Sequence, residues 1–391
     1  MPKKRPLGVF IVVLATTCFL AFNVAPLKAA NIETTAESAI LIEATTGKIL
    51  YEKEAHKELP PASVTKLMTL LVAAEAIETG KVKLTDIVTA SERASSLGGS
   101  QIWLETGEQF TLEEMLIAIA VGSANDCCVA VAEHIYGTHE EFVDKMNQKA
   151  RNLGLKNTNF VNSYGLPAKG HYSSAYDLAV LGREALKYPL ITKLTAIKEY
   201  DLRNGEFKLW NTNKLLWWYE GTDGFKTGWT QEAKYCLAST VERNGLRLIC
   251  LVMAVPEVRG HFQESMKIYN YGFANYAYKE FAPVGSKQGE VLVHKGSDIR
   301  VDLVAESPVG LCVEKGKDQD CRLETKLTPV VTAPVAKDQK LGEIILYCGQ
   351  VEQGRVNLVA KEDVKRAKFL EIVTRTIQES YSLQPSIYTY N

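Results

Sequence analysis

The chain has 391 residues, of which 46% are hydrophobic and 23% are charged, and its formal net charge is −1. This length and composition are typical of a globular protein with two or three domains and a sizeable buried core. A near-neutral charge gives no electrostatic basis for binding nucleic acid, so a nucleic-acid partner is not expected.

The first thirty residues have the pattern of a signal peptide. A basic segment at residues 3–5 precedes an uncharged apolar run at residues 7–22, and the small residues Ala29 and Ala30 offer a cleavage point. This pattern predicts a cleaved signal peptide over residues 1–30 and a mature protein outside the cytoplasmic membrane. An uncleaved membrane anchor is the alternative, although the apolar run is short for a full span.

Of the 8 cysteines, those beyond the predicted signal peptide are odd in number. Cys312 and Cys321 flank a polar stretch at residues 314–320 that is typical of a hairpin loop, so these two are candidates for a disulfide. Four others are typical of small core residues: Cys127, Cys128, Cys236 and Cys250. The sequence contains no Cys-x-x-Cys and no His-Glu-x-x-His, so neither a metal nor another cofactor is expected.

Two short strands are predicted after the signal peptide, at residues 39–42 and 48–51, joined by a turn. A helix is then predicted from Pro60 and Pro61, because proline fits a first turn whose N–H groups are unpaired. The helix is expected to end near Gly80. Apolar residues at helical spacing predict that it buries one stripe: Leu67, Leu70, Leu71, Ala74 and Ile77.

Ser63 and Lys66 lie one turn apart at the start of this helix, so we expect their side chains on one face, within hydrogen-bonding reach. A desolvated lysine with a lowered pKa can take the proton of a serine hydroxyl, which makes the serine a nucleophile without histidine. A single Ser-x-x-Lys is weak evidence, because roughly one or two are expected by chance in a chain of this length. An isolated match is more often an ordinary helix turn.

A largely helical segment follows, to about residue 195. Thr111 and Glu114 form a capping box for an apolar helix over residues 112–121. Another helix is predicted from Asn125, which places a Ser-Ala-Asn motif, residues 123–125, at the junction between two helices. Helix capping by Ser123 is the simpler interpretation of this motif.

Strands return near residue 199, with turns predicted at Asn204-Gly205 and at Asn244-Gly245, the second of type I′. A Lys-Thr-Gly motif at residues 226–228 falls on the predicted edge strand of this group. A strand start with an exposed lysine is its simpler interpretation. Strands at both ends with helices between them predict one antiparallel sheet with an inserted helical lobe, an α+β fold. A final helix is predicted at residues 268–281.

A small all-β domain is predicted from residue 282 to 360, because short alternating segments separated by turn residues follow Pro283. The tail over residues 361–380 has basic residues and an apolar helical face, formed by Val364, Ala367, Leu370, Val373 and Ile377. Such a helix can lie in a membrane interface or dock on the β-domain, and both interpretations are open.

The three motifs together resemble those of serine-type D-Ala-D-Ala carboxypeptidases, which are low-molecular-mass penicillin-binding proteins. Ser-x-x-Lys, Ser-x-Asn and Lys-Thr-Gly, in this order, are typical of penicillin-binding proteins and β-lactamases. The resemblance covers about residues 35 to 280. It implies a β-lactamase/transpeptidase-like fold, with an antiparallel sheet flanked by helices, for a peptidase domain at residues 31–281. The β-domain and a tail at residues 361–391, a possible membrane anchor, match the layout of the family.

The resemblance implies that Ser63 attacks the penultimate D-Ala of a peptidoglycan pentapeptide stem, releases the terminal D-Ala and forms an acyl-enzyme that water hydrolyses. Lys66 is the implied general base, and Ser123 is implied to relay a proton to the leaving amine. The same serine is implied to be acylated by β-lactam antibiotics. The implied setting is cell-wall synthesis and cell shape, at the outer face of the cytoplasmic membrane.

Substrate binding is implied for the remaining motif residues and their neighbour. Asn125 is implied to bind the peptide backbone, Thr227 the terminal carboxylate, and Lys226 to add positive charge. Gly228 and Trp229 complete the implied site, with the oxyanion between the backbone N–H groups of Ser63 and Trp229. Family members often carry an arginine directly before a phenylalanine near the carboxylate site. The candidates for that role here are Arg259 and His261.

Four alternatives are weighed against this function. A class A β-lactamase would carry a Glu-x-x-Leu-Asn motif for deacylation, and none lies between Asn125 and Lys226. A transpeptidase commonly has a large extra N-terminal domain, which is not found here. An inactive peptidoglycan-binding protein is disfavoured because all three motifs are intact. Proteolysis of ordinary L-peptides is not excluded by the sequence.

Overall fold

The computed structural model describes residues 32–317 and 320–374, and the predicted signal peptide lies outside them. In the N-terminal part, strands at both ends enclose a long helical segment. The elements in chain order are β1 (Ser38–Glu43), β2 (Ile49–Lys53), α1 (Lys66–Glu78), β3 (Ile87–Thr89), α2 (Glu92–Ser95), β4 (Gln109–Thr111), α3 (Leu112–Ile117), α4 (Asn125–Tyr136), α5 (His139–Asn152), α6 (Ala175–Ala185), α7 (Pro189–Thr195), β5 (Glu199–Leu202), β6 (Phe207–Trp210), α8 (Leu215–Trp218), β7 (Thr222–Thr230), β8 (Lys234–Arg243), β9 (Leu246–Val255) and α9 (Gly260–Asn275).

The main sheet of this part is antiparallel, with the strand order β2-β1-β9-β8-β7. Because β1 pairs with β9, the first and last strands lie side by side and the helical segment is inserted between them. The predicted α+β fold is confirmed. β8 and β9 are joined by the predicted type I′ turn, in which Asn244 and Gly245 have φ values of 49° and 76°. β7 lies at the edge of the sheet, as the sequence predicts.

Helices cover both faces of this sheet. Side chains of adjacent strand residues point to opposite faces. On β9, Ile249 lies against Gly182 of α6, whereas Leu248 lies against Gly272 of α9. α6 and α9 therefore pack on opposite faces, and the helical segment that carries α1 shares the core with α6.

α1 is buried on nearly all sides, whereas the sequence predicts a helix with a single buried stripe. Its buried residues include the polar Lys66 and Thr69 as well as the expected leucines. The difference arises because α4, α5 and α6 all pack against α1. A lysine in this helix is consequently removed from solvent, which matters for its chemistry.

The C-terminal part is all-β, as predicted. Its strands are β10 (Tyr276–Ala282), β11 (Lys287–His294), β12 (Arg300–Ala305), β13 (Val309–Glu314), β14 (Cys321–Leu327), β15 (Val330–Thr332), β16 (Lys340–Cys348) and β17 (Val351–Ala360). They form a sheet in the order β14-β16-β17-β12-β11-β15 and a separate pair of β10 with β13. Buried valines, leucines and alanines of these strands make a second core.

The final helix differs from the prediction at both ends. The sequence predicts it over residues 268–281, whereas α9 begins at Gly260 and ends at Asn275. Residues 276–282 form β10, which pairs antiparallel with β13. Alternating aromatic residues in this segment favour a strand, and the pairing with β13 overrides the helical spacing.

The predicted pairing of Cys312 with Cys321 is wrong. The disulfide joins Cys321 to Cys348, which lies directly opposite on the neighbouring strand. Cys312 is a free, buried thiol. The residues that flank the polar loop belong to different sheets, since β13 pairs with β10 and β14 with β16. The four cysteines predicted in the core are buried and free.

The first residues of the tail are not helical. Val364 forms a bridge with Val335 and is buried with it in the β-domain core, and Ala367 is also buried. Helix begins only at residue 369, where Phe369 and Leu370 are exposed. The difference arises because Val364 pairs with Val335 and its side chain fills the β-domain core instead of a helix face. The predicted tail beyond residue 374 lies outside the described residues. Among those described, no helix is long and apolar enough to cross a bilayer.

Candidate active site

The first motif lies at the start of α1, beneath the edge of the sheet. Residues 62–65 form a single 3₁₀ turn after Pro61, and the α-helix proper begins at Lys66. The Lys66 amine nitrogen Nζ lies 3.0 Å from Ser63 Oγ. The turn therefore brings the two side chains together, as expected from their spacing in the sequence.

Lys66 is fully buried and held by three oxygen atoms. Besides Ser63 Oγ, its Nζ contacts Asn125 Oδ1 at 2.7 Å and the carbonyl oxygen of Tyr164 at 2.6 Å. Burial lowers the pKa of Lys66 to about 8, because the charged amine loses its hydration. The described residues thus provide a lysine that can lose its proton near neutral pH, beside a serine hydroxyl.

The second motif sits on a sharp bend between α3 and α4. Five residues of π-helix follow α3, and Ser123 then adopts the left-handed conformation with φ of 62°. Asn125 begins α4, and its backbone N–H donates to the carbonyl of Ser100 at 2.7 Å. Its side-chain Nδ2 donates to the carbonyl of Gly98 at 2.7 Å. These contacts fix the orientation of the Asn125 amide, so its oxygen faces Lys66.

The third motif occupies the middle of the edge strand β7. Lys226 is fully buried, and its Nζ lies 3.3 Å from both Thr212 Oγ1 and the carbonyl oxygen of Thr227. Burial, together with the nearby positive charge of Lys66, holds the pKa of Lys226 well below its ordinary value. Thr227 Oγ1 donates to Thr212 Oγ1 at 2.7 Å.

Gly228 allows the edge strand to approach the nucleophile closely. A Cβ atom at this position would lie 2.9 Å from the backbone nitrogen of Ser63 and 2.9 Å from the carbonyl oxygen of Pro61. Such distances are too short for a side chain, so glycine is required for this packing. Trp229 follows directly, and more than half of its side chain is exposed. The structure thus brings together Ser63, Lys66 and Asn125, and it packs Gly228 of the third motif against the turn that carries Ser63. Ser123 lies on the bend two residues before Asn125.

The structure adds contacts that the sequence analysis missed. Tyr164 holds Lys66 through its backbone carbonyl, and Thr212 links the side chains of Lys226 and Thr227. No side-chain signal reveals a backbone acceptor such as Tyr164. Thr212 lies in a polar Asn-Thr-Asn triplet between two apolar segments, and this triplet is the signal that could have identified it.

Neither candidate for the carboxylate-binding role is hydrogen-bonded to Thr227 in the structure. His261 is buried at the start of α9, where its ring stacks on Tyr235 at 5.2 Å with nearly parallel planes. Burial lowers the pKa of His261 to about 4, which keeps the ring neutral at physiological pH. Arg259 precedes the helix and is exposed. No group of histidine, cysteine or carboxylate side chains suited to a metal occurs within residues 32–317 and 320–374.

This geometry places a serine hydroxyl beside a buried lysine amine with a lowered pKa, at the start of a helix in an α+β fold. Residues 25–257 match the family of D-alanyl-D-alanine carboxypeptidases, peptidase family S11, and residues 276–366 match the C-terminal domain of penicillin-binding protein 5. The chain belongs to the D-alanyl-D-alanine carboxypeptidase family.

Individual relatives agree with this assignment. The chain is 43% identical to the D-alanyl-D-alanine carboxypeptidase DacF of Bacillus subtilis, over 88% of this chain and 89% of that protein. Penicillin-binding protein 5 of Haemophilus influenzae is similar in structure, with a TM-score of 0.67 and 33% identity, over 86% of this chain and 99% of the other. Ampicillin-bound penicillin-binding protein D2 of Listeria monocytogenes has a TM-score of 0.57 and 29% identity, over 62% of this chain and 99% of the other. The predicted family, fold and serine-type carboxypeptidase activity are confirmed.

Proposed function

We propose that the chain removes the terminal D-Ala from peptidoglycan pentapeptide stems through an ester formed on Ser63. The observation that carries this proposal is the 3.0 Å contact between Ser63 Oγ and the buried Nζ of Lys66, whose pKa is lowered to about 8. A nucleophile needs a base within hydrogen-bonding reach and with a pKa near the working pH. Lys66 meets both conditions.

The partners of Lys66 also orient its lone pair. The Asn125 side-chain oxygen and the Tyr164 carbonyl can only accept hydrogen bonds, so both require an N–H from Lys66. A neutral amine has two N–H groups, which these acceptors occupy. The remaining lone pair then faces Ser63, whose hydroxyl can donate to it. The neutral form of Lys66 is therefore arranged to take the proton as Ser63 attacks the substrate carbonyl.

Ser123 and the β7 residues then serve the two ends of the broken peptide bond. We assign to Ser123 the transfer of the proton to the departing D-Ala amine, and to Thr227 the binding of the terminal carboxylate. Lys226 contributes charge beside them. Because burial disfavours the ammonium form of Lys226, an arriving carboxylate is expected to restore that charge on binding.

We place the oxyanion between the backbone N–H groups of Ser63 and Trp229. The close packing of Gly228 against the Ser63 nitrogen supports this placement, since it brings β7 beside the turn that carries the nucleophile. Two preorganised donors at the position where negative charge develops lower the barrier to acylation. Asn125 retains one amide hydrogen beyond its bond to Gly98, and we assign this hydrogen to the peptide backbone of the substrate.

We further propose export, with the enzyme held at the outer face of the cytoplasmic membrane by its tail. The apolar and uncharged run at residues 7–22 supports export. The exposed Phe369 and Leu370 at the start of the distal helix support membrane contact. Deletion of residues 369–391, which spares the buried Val364 and Ala367, is expected to release the enzyme from membrane fractions. Unchanged fractionation would refute the anchor.

Acylation by a fluorescent penicillin tests the catalytic proposal directly, because β-lactams are recognised as inhibitors that form an ester with the active-site serine of such enzymes. We expect a long-lived adduct on the wild-type protein, no adduct on Ser63→Ala, and release of D-Ala from a pentapeptide by the wild type alone. An adduct that disappears within seconds while penicillin is consumed would indicate a β-lactamase. Labelling of Ser63→Ala would refute the assignment of the nucleophile.

A further inference from the structure

Every tryptophan of the chain presents a large part of its side chain to solvent. The sequence contains 5 tryptophans, and their exposed fractions range from 39% for Trp217 to 63% for Trp103. Tryptophan is usually among the more buried residues because its ring is large and apolar. Exposure of all of them in one chain indicates ligand contact for at least part of this set.

Two of these tryptophans end a continuous row of five rings beside the catalytic strand. Trp229 lies 6.1 Å from Tyr235, whose ring stacks on His261 at 5.2 Å. His261 lies 3.9 Å from Phe262, and Phe262 meets Trp218 edge-on at 5.3 Å. We call these five residues the aromatic row. His261 and Phe262 are buried, whereas Trp229 and Trp218 are 58% and 48% exposed.

The aromatic row is rigid at its centre and open at its ends. The buried Phe262 contacts Trp218 directly, and the buried His261 supports Trp229 through Tyr235. These contacts hold the indoles in place before a ligand arrives, so little side-chain entropy is lost on binding. The exposed residues around the row include both signs of charge, together with two apolar residues: Glu232, Lys234, Glu257, Arg259, Pro256 and Val258. A lipid surface favours a broad apolar face with basic residues, which this surface lacks. Separate indole platforms in polar surroundings suit a pyranose, which has apolar C–H faces and hydroxyl edges.

We propose that the aromatic row binds the glycan strand to which the stem peptide is attached, an inference that rests on the proposed function. Trp229 directly follows Gly228, which packs against the nucleophile turn, so the row begins at the catalytic site. Three residues separate D-Ala-D-Ala from the sugar in a pentapeptide stem, and they span at most about 11 Å when extended. The sugar that carries a bound stem therefore stays close to the catalytic site. The aromatic row extends from that site, so it is within reach of the glycan strand.

The test compares two substrates that share the same scissile bond. One is a free pentapeptide, and the other is an uncrosslinked glycan oligomer that carries pentapeptide stems. For Trp218→Ala we expect the ratio of kcat/KM for the glycan substrate to that for the free peptide to fall about threefold to tenfold, the range for loss of one aromatic contact. Trp218→Phe retains a platform and should restore most of the ratio.

Trp210→Ala is the matched control, because Trp210 is 55% exposed but lies on β6, outside the row. Its ratio should equal that of the wild type. An unchanged ratio in Trp218→Ala, or an equal fall in Trp210→Ala, would overturn the glycan proposal. An equal loss on both substrates in Trp218→Ala would also overturn it, since the residue would then act through the fold.

Failure of the glycan proposal is distinguishable from failure of the proposed function. If the wild type neither releases D-Ala from the free peptide nor reacts with penicillin, the proposed function fails. If both reactions occur and the ratio does not respond to Trp218, only the glycan proposal fails. A direct binding arm uses Ser63→Ala with a peptide-free oligomer of N-acetylglucosamine. If the oligomer quenches tryptophan fluorescence and Trp218→Ala abolishes this quenching, the result supports the glycan site. Binding to anionic lipid vesicles that depends on Trp218, without binding to the oligomer, would refute it.

Discussion

Acylation of Ser63 should depend on pH through Lys66, and the structure sets the size of the effect. With a pKa of about 8, about one tenth of the Lys66 amines are neutral at pH 7, from the ordinary titration relation. An exposed lysine with a pKa of about 10.4 would be neutral in only about four molecules in ten thousand. Burial of α1 therefore raises the fraction of active base more than a hundredfold.

The assay is the second-order rate of acylation by a penicillin, measured by stopped flow between pH 6 and pH 10. The base acts when deprotonated, so the rate should rise almost tenfold from pH 6 to pH 7 and level off above pH 9. Asp126, Cys127 and Cys128 are the charged or ionisable groups whose influence raises the pKa of Lys66, and burial outweighs them. Lys66→Arg, which keeps the charge but cannot lose it, should lower the rate about a hundredfold or more and abolish the rise.

Three results would refute this reasoning. A rate that is flat between pH 6 and pH 9 would show that no group with a pKa of about 8 acts as the base. A rate that still rises almost tenfold between pH 8 and pH 9, without levelling off by pH 10, would show that Lys66 retains the pKa of an exposed lysine. A rise that persists in Lys66→Arg would assign the titration to another group, with the neighbouring Lys226 as the first candidate.

Three further predictions concern packing around the site and the β-domain. Gly228→Ala places a methyl group against the nitrogen of Ser63. Acylation should slow by up to about a hundredfold to a thousandfold, the loss caused by removing one oxyanion donor, and an unchanged rate would refute the close approach. Thr212→Val removes the hydroxyl that contacts Lys226, so KM for the peptide should rise severalfold with a smaller change in kcat, and the reverse pattern in steady-state kinetics would contradict this. Cys321→Ser opens a disulfide that spans 27 residues, which should lower the free energy of unfolding of the β-domain by about 3 to 4 kcal/mol in denaturant unfolding. Penicillin acylation should stay normal, and slowed acylation would show that the disulfide also affects the active site.

The sheet and its hairpins could be predicted because their signals are local. A type I′ turn requires positive φ at both of its central positions, and Asn-Gly is one of the residue pairs that adopt this conformation most readily. Asn244-Gly245 therefore predicts a tight hairpin. The capping box of Thr111 and Glu114 is likewise a contact over three residues, and both of its hydrogen bonds are present. In such cases the residues that determine the structure are neighbours in the sequence, so the sequence pattern directly shows the contacts that stabilise the turn or the helix end.

The predictions that are wrong concern segments that pair with a strand distant in the sequence. Residues 276–281 have helical spacing, but they pair with β13 as a strand, so the helix ends before them. Cys321 could be paired only by knowing that β16 lies beside β14, which brings Cys348 opposite. The spacing of apolar residues places Val364 on a predicted helix face, but its backbone instead forms a β-bridge with Val335. Strand pairing over long sequence separations has no local signal from which to predict it.

The candidate site depends on both local and long-range contacts, which explains why its residues were predictable whereas the burial and the hydrogen-bond partners of Lys66 were not. Ser63 and Lys66 are one turn apart, so their contact follows from local structure. The lowered pKa of Lys66, however, depends on burial of nearly all sides of α1 by helices that are distant in sequence. The direction of its lone pair depends on Asn125 and on the carbonyl of Tyr164, whose side chain takes no part. The sequence therefore identifies Lys66 as the proposed base, and only the tertiary structure lowers its pKa enough to leave a sizeable neutral fraction near pH 7.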